Sequence, residues 1–350
     1  MKPLSIEPLS HKPKADPEWN ESYYFVFYDR RNSIGGMTRL GFKPNKQEGS
    51  TFLILFLPDG SRILYRHQER ITDDTWGKSM KVGGVVHQPR STGRWNYLFE
   101  GNMLMMRNNE TLHGTRGLIK SNSNVLKVKL NLSFNPISDV YEYSEHMTAE
   151  SRQLGRKAGD AHWEQIGKVN GKIRLDNYTF YIQETMGQRD HTHGVRDWTE
   201  VGDWLYYVVW FSKNYAVNPA AIITDDGRVS TGGFIFKNGE NIPIKSIRVL
   251  EQKFQNNVFP ASSKLELVDK LGQHHTLEGE AGPIVPIPFI DEKGQLSILT
   301  QSFGRFKMDK VSGGYGLYET LRRAEDPEET AAGLAQIYGE NWASFLNRPK

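Results

Sequence analysis

Gly187-Gln-Arg-Asp-His-Thr-His-Gly-Val-Arg-Asp-Trp198, followed by Thr199-Glu-Val-Gly-Asp-Trp204 and the apolar run Leu205–Phe211, is the stretch from which this 350-residue chain is best read. Its first twelve residues hold two Asp, two His, two Arg and a Trp, with glycines at 187 and 194. Two Arg-Asp dipeptides, Arg189-Asp190 and Arg196-Asp197, stand seven residues apart. Such a mixture is hard to bury unless its charges pair with one another. Acids, imidazoles and guanidiniums gathered together are also the usual material for proton transfer in a pocket. A salt-bridged brace between two sheets is the other use of the same residues.

Outward from this stretch the chain has a β rhythm. Candidate strands are Tyr23–Arg30, Met37–Phe42, Thr51–Leu57, Arg62–Arg66, Lys81–His87, Trp95–Glu100 and Val125–Phe134, all short, rich in aromatic and β-branched residues, and divided by Pro, Gly, Asn and Asp. The rhythm resumes at Lys172–Gln183, Trp204–Ser212, Ala220–Thr224, Gly232–Lys237, Ile244–Gln252, Lys264–Asp269, His275–Glu280, Leu296–Phe306 and Tyr315–Leu321. Pro58–Ser61, Asp225-Asp226-Gly227, Lys237-Asn238-Gly239 and Asp291–Gly294 carry hairpin-turn chemistry. Roughly sixteen strands with regular turns predict two packed sheets or two small barrels. Gly35-Gly36, Gly83-Gly84 and Gly232-Gly233 form no phosphate-binding loop and mark bulges or bends. Two helices are expected: Ala149–Trp163, weakened by Gly155 and Gly159, and Pro327–Leu346, whose stripe Leu334, Ile337, Tyr338, Trp342 and Phe345 would dock on the body.

Composition narrows the function. With 44 basic and 41 acidic side chains the net charge is +3, and no Lys/Arg run occurs, so nucleic acid is not an expected partner. The absence of cysteine excludes disulfides, thiolate metal sites and Cys nucleophiles. The polar segment Met1–Trp19 resembles no signal peptide, and the longest apolar runs, Phe52–Leu57 and Leu205–Phe211, are too short for a membrane span. A cytoplasmic protein is expected. There is no Gly-x-Ser-x-Gly elbow for acyl transfer. His191 and His193 would share one face of an extended strand and, with a carboxylate, permit a metal site, but Asp190 would face the other way and no His-Glu-x-x-His pattern accompanies them. No metal and no cofactor are therefore expected. His162 and Glu164 would join proton chemistry or act as a brace, with bracing favoured.

The run Arg189-Asp-His-Thr-His-Gly194 resembles the Asp-His-Asn-aromatic-Gly signature of the carotenoid 1,2-hydratase and AttH-like superfamily. Its double-lipocalin fold is shared with tocopherol cyclases and calycin-type Diels–Alderases. The continuation Gly194-Val-Arg-Asp-Trp198 is closer still to bacterial members with Asp-His-x-x-Gly-x-Arg-Asp-Trp. Asn20-Glu-Ser-Tyr-Tyr-Phe25, Glu164-Gln165 and Gly314-Tyr-Gly-Leu-Tyr-Glu319 fit in the same order. Thr192 and His193 depart from the hydratase pattern, which has Asn and an aromatic residue there.

The resemblance implies an all-β chain of two lipocalin-like (calycin) barrels packed side by side with a short C-terminal helix: an extension over 1–18, a first domain over 19–184, and a second over 185–350. It implies a site near their junction and a cofactor-independent acid–base reaction on an apolar terpenoid-like or polycyclic substrate. Hydration or dehydration is the nearest chemistry, with isomerisation or cyclisation beside it. Asp190 is the counterpart of the proton donor, since an apolar cavity favours the neutral acid. His191 would reload it, His193 would orient water, and Asp197 completes the catalytic set. Arg189 and Arg196 would hold Asp197 and Glu164. Arg196, Trp198, Glu164, Trp95 and Tyr318 are the expected substrate contacts, with Trp204 a further aromatic face for a developing cation. A homodimer is compatible with this reading. The alternative function is a carrier of a lipophilic molecule, with the charged cluster serving as a latch.

Overall fold

The computed structural model describes residues 7–72, 80–106, 125–196, 198, 201–290 and 293–338. These residues fall into two compact units, one of 1–142 with 161–195, the other of 143–160 with 196–350. The expected boundary at 184/185 lies inside a strand of the first unit.

The first unit contains β1 (Trp19–Asp29), β2 (Ile34–Lys43), β3 (Glu48–Phe56), β4 (Arg62–Arg70), β5 (Lys81–Val82), β6 (Val85–Pro89), β7 (Trp95–Met106), β8 (Val125–Pro136), β9 (Tyr141–Glu142), β10 (Ala161–Leu175) and β11 (Tyr178–Val195). Neighbours pair in the order β4-β3-β2-β1-β11-β10-β8-β7, and pairing of Arg62–Leu64 on β4 with Leu104–Met106 on β7 returns the path on itself. Around this ring β8 is exposed at every second residue from Val125 to Asn131, as expected for a wall with one face in water. By contrast β1 is buried on both faces from Trp19 to Phe27, and β11 is buried at nearly every position from Thr185 to Gly194. The interior holds Phe25, Phe27, Tyr97, Phe99, Leu132 and Phe134, with Phe25 stacked on Tyr97 at 3.8 Å. Gly167 makes room for this packing, since a Cβ there would lie 2.4 Å from the Phe134 ring.

The second unit contains β12 (Asp203–Ser212), β13 (Tyr215–Ile223), β14 (Val229–Lys237), β15 (Glu240–Gln255), β16 (Phe259–Asp269), β17 (His274–Ile290), β18 (Leu296–Met308) and β19 (Val311–Arg323), which form a closed antiparallel barrel. The Asn238-Gly239 turn between β14 and β15 has both residues at positive φ, 52° and 96°, as the hairpin chemistry predicts. Gly233 at φ 109° is obligatory, because a Cβ would stand 1.9 Å from the Asn218 carbonyl oxygen. Tyr207, Phe306, Met308 and Tyr318 fill the interior.

The helices and one strand depart from expectation. The first helix, α1, covers only Ala149–Leu154: the Thr148 hydroxyl accepts from the Ser151 N–H at 3.0 Å, and Gly155 caps its end. His162–Gln165 belong instead to β10, where strand pairing outweighs local propensity. The run Lys172–Gln183 is not one strand but the tip of the β10–β11 hairpin, turning at Asp176 with φ 46°. Helix α2 (Pro327–Tyr338) starts where the Asp326 carboxylate accepts the N–H groups of Glu328 and Glu329 at 3.0 and 2.9 Å. It docks Leu334 on Val258, Phe259, Leu296 and Ile298, and its expected continuation to Leu346 lies outside the described residues. Among the described residues no helix is long and apolar enough to cross a membrane, which says nothing of strands.

His87 on β6 is wholly buried, edge-on to Tyr97 at 4.8 Å, and burial pushes its imidazole down to about 3. Its unfolded pKa is near 6.5, so the unfolded chain takes up this proton first as the pH drops. The stability contributed by neutral His87 is complete above pH 6.5 and is lost as the pH falls toward 3. Urea titrations at pH 7 and pH 4 should therefore show a smaller acid-induced loss in His87→Phe than in the parent, by up to about 3 kcal/mol at 1.36 kcal/mol per pH unit.

Candidate functional site

The distinctive run lies on β11, where alternate side chains point to opposite faces. Arg189, His191 and His193 face the core of the first unit, opposite Phe25, Tyr23 and Glu21 of β1. Gln188, Asp190 and Thr192 face the other way, opposite Ile166, Glu164 and His162 of β10. Because this part of β11 is covered on both sides, polar side chains on each face must find partners inside the protein.

On the inner face a bidentate pair forms between Arg189 and Glu7: Nη1 donates to Oε1 in a short contact and Nη2 to Oε2 at 2.8 Å. The same guanidinium donates to the Gln165 side-chain oxygen from Nε at 3.0 Å and Nη2 at 2.7 Å, and lies 5.3 Å from the Trp95 ring centre. Burial alone would raise the Glu7 carboxyl, but hydrogen bonds from Arg189 and His191 and the Arg189 charge outweigh it and hold Glu7 well below the usual carboxylate range. His191 is fully buried with Nε2 2.9 Å from Glu21 Oε1 and Nδ1 3.7 Å from Glu7 Oε1. Burial would depress His191, and the two carboxylates raise it above its ordinary value. Tyr23 stacks on His191 at 4.5 Å and donates its hydroxyl to the Leu9 carbonyl in a short contact. His11 places Nδ1 2.7 Å from Glu21 Oε1, donates its backbone N–H to Oε2 at 3.1 Å, and stacks on Trp163 at 5.2 Å and on His193 at 3.9 Å.

The outer face carries a smaller group. Glu164 and Asp190 are directly paired across β10 and β11, and His162 is two residues from Glu164 on the same face. His162 Nε2 lies 2.8 Å from Glu164 Oε1 and 3.6 Å from Asp190 Oδ2, and Gln188 donates to Glu164 Oε2 at 2.6 Å. Glu164 is fully buried, whereas the Asp190 and His162 side chains keep 14% and 23% exposure. Two carboxylates and an imidazole in reach of one another can pass a proton among themselves and deliver it to whatever contacts Asp190.

Strand parity separates the expected catalytic residues. Asp190 stands with Glu164 and His162, while His191 and His193 stand on the opposite face, so direct reloading of Asp190 by His191 is ruled out by direction. Arg189 holds Glu7 and not Glu164, which faces away from it. Arg196 donates from Nε and Nη2 to the Ala158 carbonyl at 3.0 and 2.5 Å and lies 5.4 Å from the Trp198 ring centre. Trp198 stacks face-on against Phe289 at 4.7 Å, and Trp204 donates its indole N–H to Glu319 at 3.1 Å. Trp95 lies buried beneath Arg189, and Tyr318 lies in the second core against Tyr207 at 4.3 Å. Asp197 falls outside the described residues. Sequence reasoning did not single out Glu7 and His11, which come from a Pro-rich leader with no periodic signal. Glu21 had one available signal: an isolated acid within the aromatic strand Trp19–Phe27.

Arg189→Met should lower stability by about 3–5 kcal/mol, because it strands a buried Glu7 charge. Glu7→Leu combined with Arg189→Met should recover much of that loss in urea unfolding, since no uncompensated charge then remains.

Comparison with known proteins places the fold in context. No curated protein sequence matches the chain. Among solved structures, a protein described as AttH from Nitrosomonas europaea superposes with a TM-score of 0.57 at 12% identity, covering 90% of this chain and 98% of its own. Kievitone hydratase from Nectria haematococca gives 0.55 at 9% identity, with 86% and 88% covered. CghA gives 0.51 at 9% identity, with 93% and 96% covered. The likeness spans both units and identifies the fold as the lipocalin-like double barrel. A family model matches residues 7–324, reaching from Glu7 of the inner network through β19, and the chain belongs to the family described as domain of unknown function DUF7064.

Proposed function

We propose that this protein is an acid–base enzyme of hydratase or cyclase type, acting without a cofactor on an apolar terpenoid-like or polycyclic substrate, with Asp190 as general acid. The observation that carries the reading is the accessibility of the outer trio: Asp190 and His162 keep part of their surface, while the imidazole of His191 keeps none. A substrate can touch the first pair without dismantling the fold. Asp190 and Glu164 sit side by side, and an apolar molecule that displaces water around such a pair favours their holding a proton. Transfer of that proton to one carbon of a double bond leaves a cation on its neighbour. Water adds there and returns a proton to the carboxylates, so that hydration is balanced and the trio is restored. Dehydration is the reverse. Capture of the cation by a second double bond of the substrate gives cyclisation. His162, hydrogen-bonded to Glu164, orients the trio.

Two of the structures sharing the fold support this reading, since one bears the name kievitone hydratase and CghA has been solved with Sch210972. Carriage of a lipophilic molecule inside a barrel is less favoured. Phe25, Tyr97 and Phe134 occupy the first interior and Tyr207, Phe306 and Tyr318 the second.

The test is native mass spectrometry of freshly purified protein with extraction of bound apolar molecules, then incubation of the recovered class with parent and Asp190→Asn proteins. A mass change of one water, or an isomer shift, should be seen with the parent and fall by about 10²–10⁴-fold in Asp190→Asn while the far-UV spectrum and melting temperature stay unchanged. A compound bound equally by both proteins and altered by neither would replace catalysis with carriage.

A further inference from the structure

On the face of β11 turned away from Asp190, two imidazoles from distant parts of the chain converge on one carboxylate oxygen. We infer that His11, Glu21 and His191 form a binding site for a divalent transition-metal ion of the zinc or cobalt type, which clips the N-terminal segment to the barrel wall. His11 Nδ1 and His191 Nε2 stand 2.7 and 2.9 Å from Glu21 Oε1, and the three ligand atoms lie within 4.8 Å of one another. Widening those separations to about 3.3–3.6 Å, within the 4.8 Å spread of the three atoms, admits an ion at the metal–ligand distances of about 2.0–2.2 Å typical of zinc. Two nitrogens and one oxygen suit zinc, cobalt or ferrous iron, whereas calcium and magnesium prefer all-oxygen sets.

A second feature of the geometry points the same way. A neutral imidazole carries one N–H, yet both ring nitrogens of His191 face carboxylates, Nε2 toward Glu21 and Nδ1 toward Glu7 at 3.7 Å. In the neutral ring, whichever nitrogen lacks the hydrogen turns a lone pair toward negative oxygen. A cation on Nε2, whether a second proton or a metal ion, resolves the conflict and leaves Nδ1–H directed at Glu7. His11, brought to the same oxygen, supplies the further nitrogen that a metal uses and a proton does not need. An imidazole that binds metal through one nitrogen and points the other at a carboxylate is the usual supporting arrangement of protein metal sites. Glu7 is itself fixed by the Arg189 fork, so the support is rigid. The ligands are equally well held: Glu21 and His191 are near neighbours on adjacent strands, and His11 packs against both Trp163 and His193. This set differs from the His191 and His193 pair that strand parity alone suggests, because the second histidine comes from ahead of β1. The inference does not rest on the proposed catalysis, which uses the opposite face.

The test uses the full-length protein stripped with a chelator and titrated with Co²⁺ and then Zn²⁺, followed by calorimetry, visible absorption and melting temperature. One equivalent of Co²⁺ should bind with ligand-field bands that Zn²⁺ abolishes, and either metal should raise the melting temperature. His11→Ala, which alters only the leader and leaves the barrel strands intact, should lose binding and the rise in melting temperature. Glu7→Gln should weaken binding by about 10–100-fold as a supporting carboxylate. His162→Ala, on the other face, should bind as the parent does. Failure of the parent to bind one equivalent makes the cation a proton and overturns the site, as does binding unchanged in His11→Ala. Binding lost in His162→Ala but kept in His11→Ala assigns the ion to the outer trio and also overturns it. None of these readouts depends on turnover, so they stand apart from the Asp190→Asn result.

Discussion

The Arg189 guanidinium, 3% exposed inside a β-barrel, is the constraint around which the first unit is arranged. A permanent cation cannot stay buried without a carboxylate, and the nearer acids of its own hairpin, Glu164 and Asp190, face the wrong way. The counter-charge comes from Glu7, ahead of the first strand, so that a segment without regular structure becomes an integral part of the interior. The exposed Leu9 is tied to the wall by its carbonyl, which accepts from Tyr23, and the half-buried His11 is tied to Glu21. The leader is thus fastened by charge and hydrogen bonding more than by apolar burial.

The same segment of β11 is polar on both faces, and each face solves its burial problem differently. Inward, acids, imidazoles and a guanidinium pair in a closed network under Tyr23, Trp95 and Trp163. Outward, two carboxylates and one imidazole share contacts, and Asp190 and His162 retain partial access. A closed network favours rigidity and ion binding, while an accessible group of acids favours proton delivery. One strand therefore presents two polar groups of different burial, separated by its own backbone.

Much of the fold was legible locally. The Asn238-Gly239 turn, the Pro58–Ser61 hairpin and the start of α2 are each fixed by side chains within a few residues, and they lie where their chemistry puts them. The errors fall where pairing overrode local preference. Ala149–Trp163 reads as a helix but ends at Leu154 and yields its last three residues to β10, and Lys172–Gln183 reads as one strand though Asp176 turns it back on itself. At the site, the residue types and their alternation were visible in Arg189–Gly194, as was the company of Glu164 and His162 ahead of it in the chain.

By itself the sequence determined that the chain is all-β, that its turns fall at Gly, Asn and Asp, and that Asp190 must face away from His191, because these follow from local torsional preference and the two-residue period of a strand. Only the tertiary structure decided which partner each buried charge takes. Glu7 reaches Arg189 and Glu21 reaches His191 across 182 and 170 residues of sequence, and His11 joins them at Glu21. Such pairings depend on ring closure and register, and no local preference of the leader encodes them.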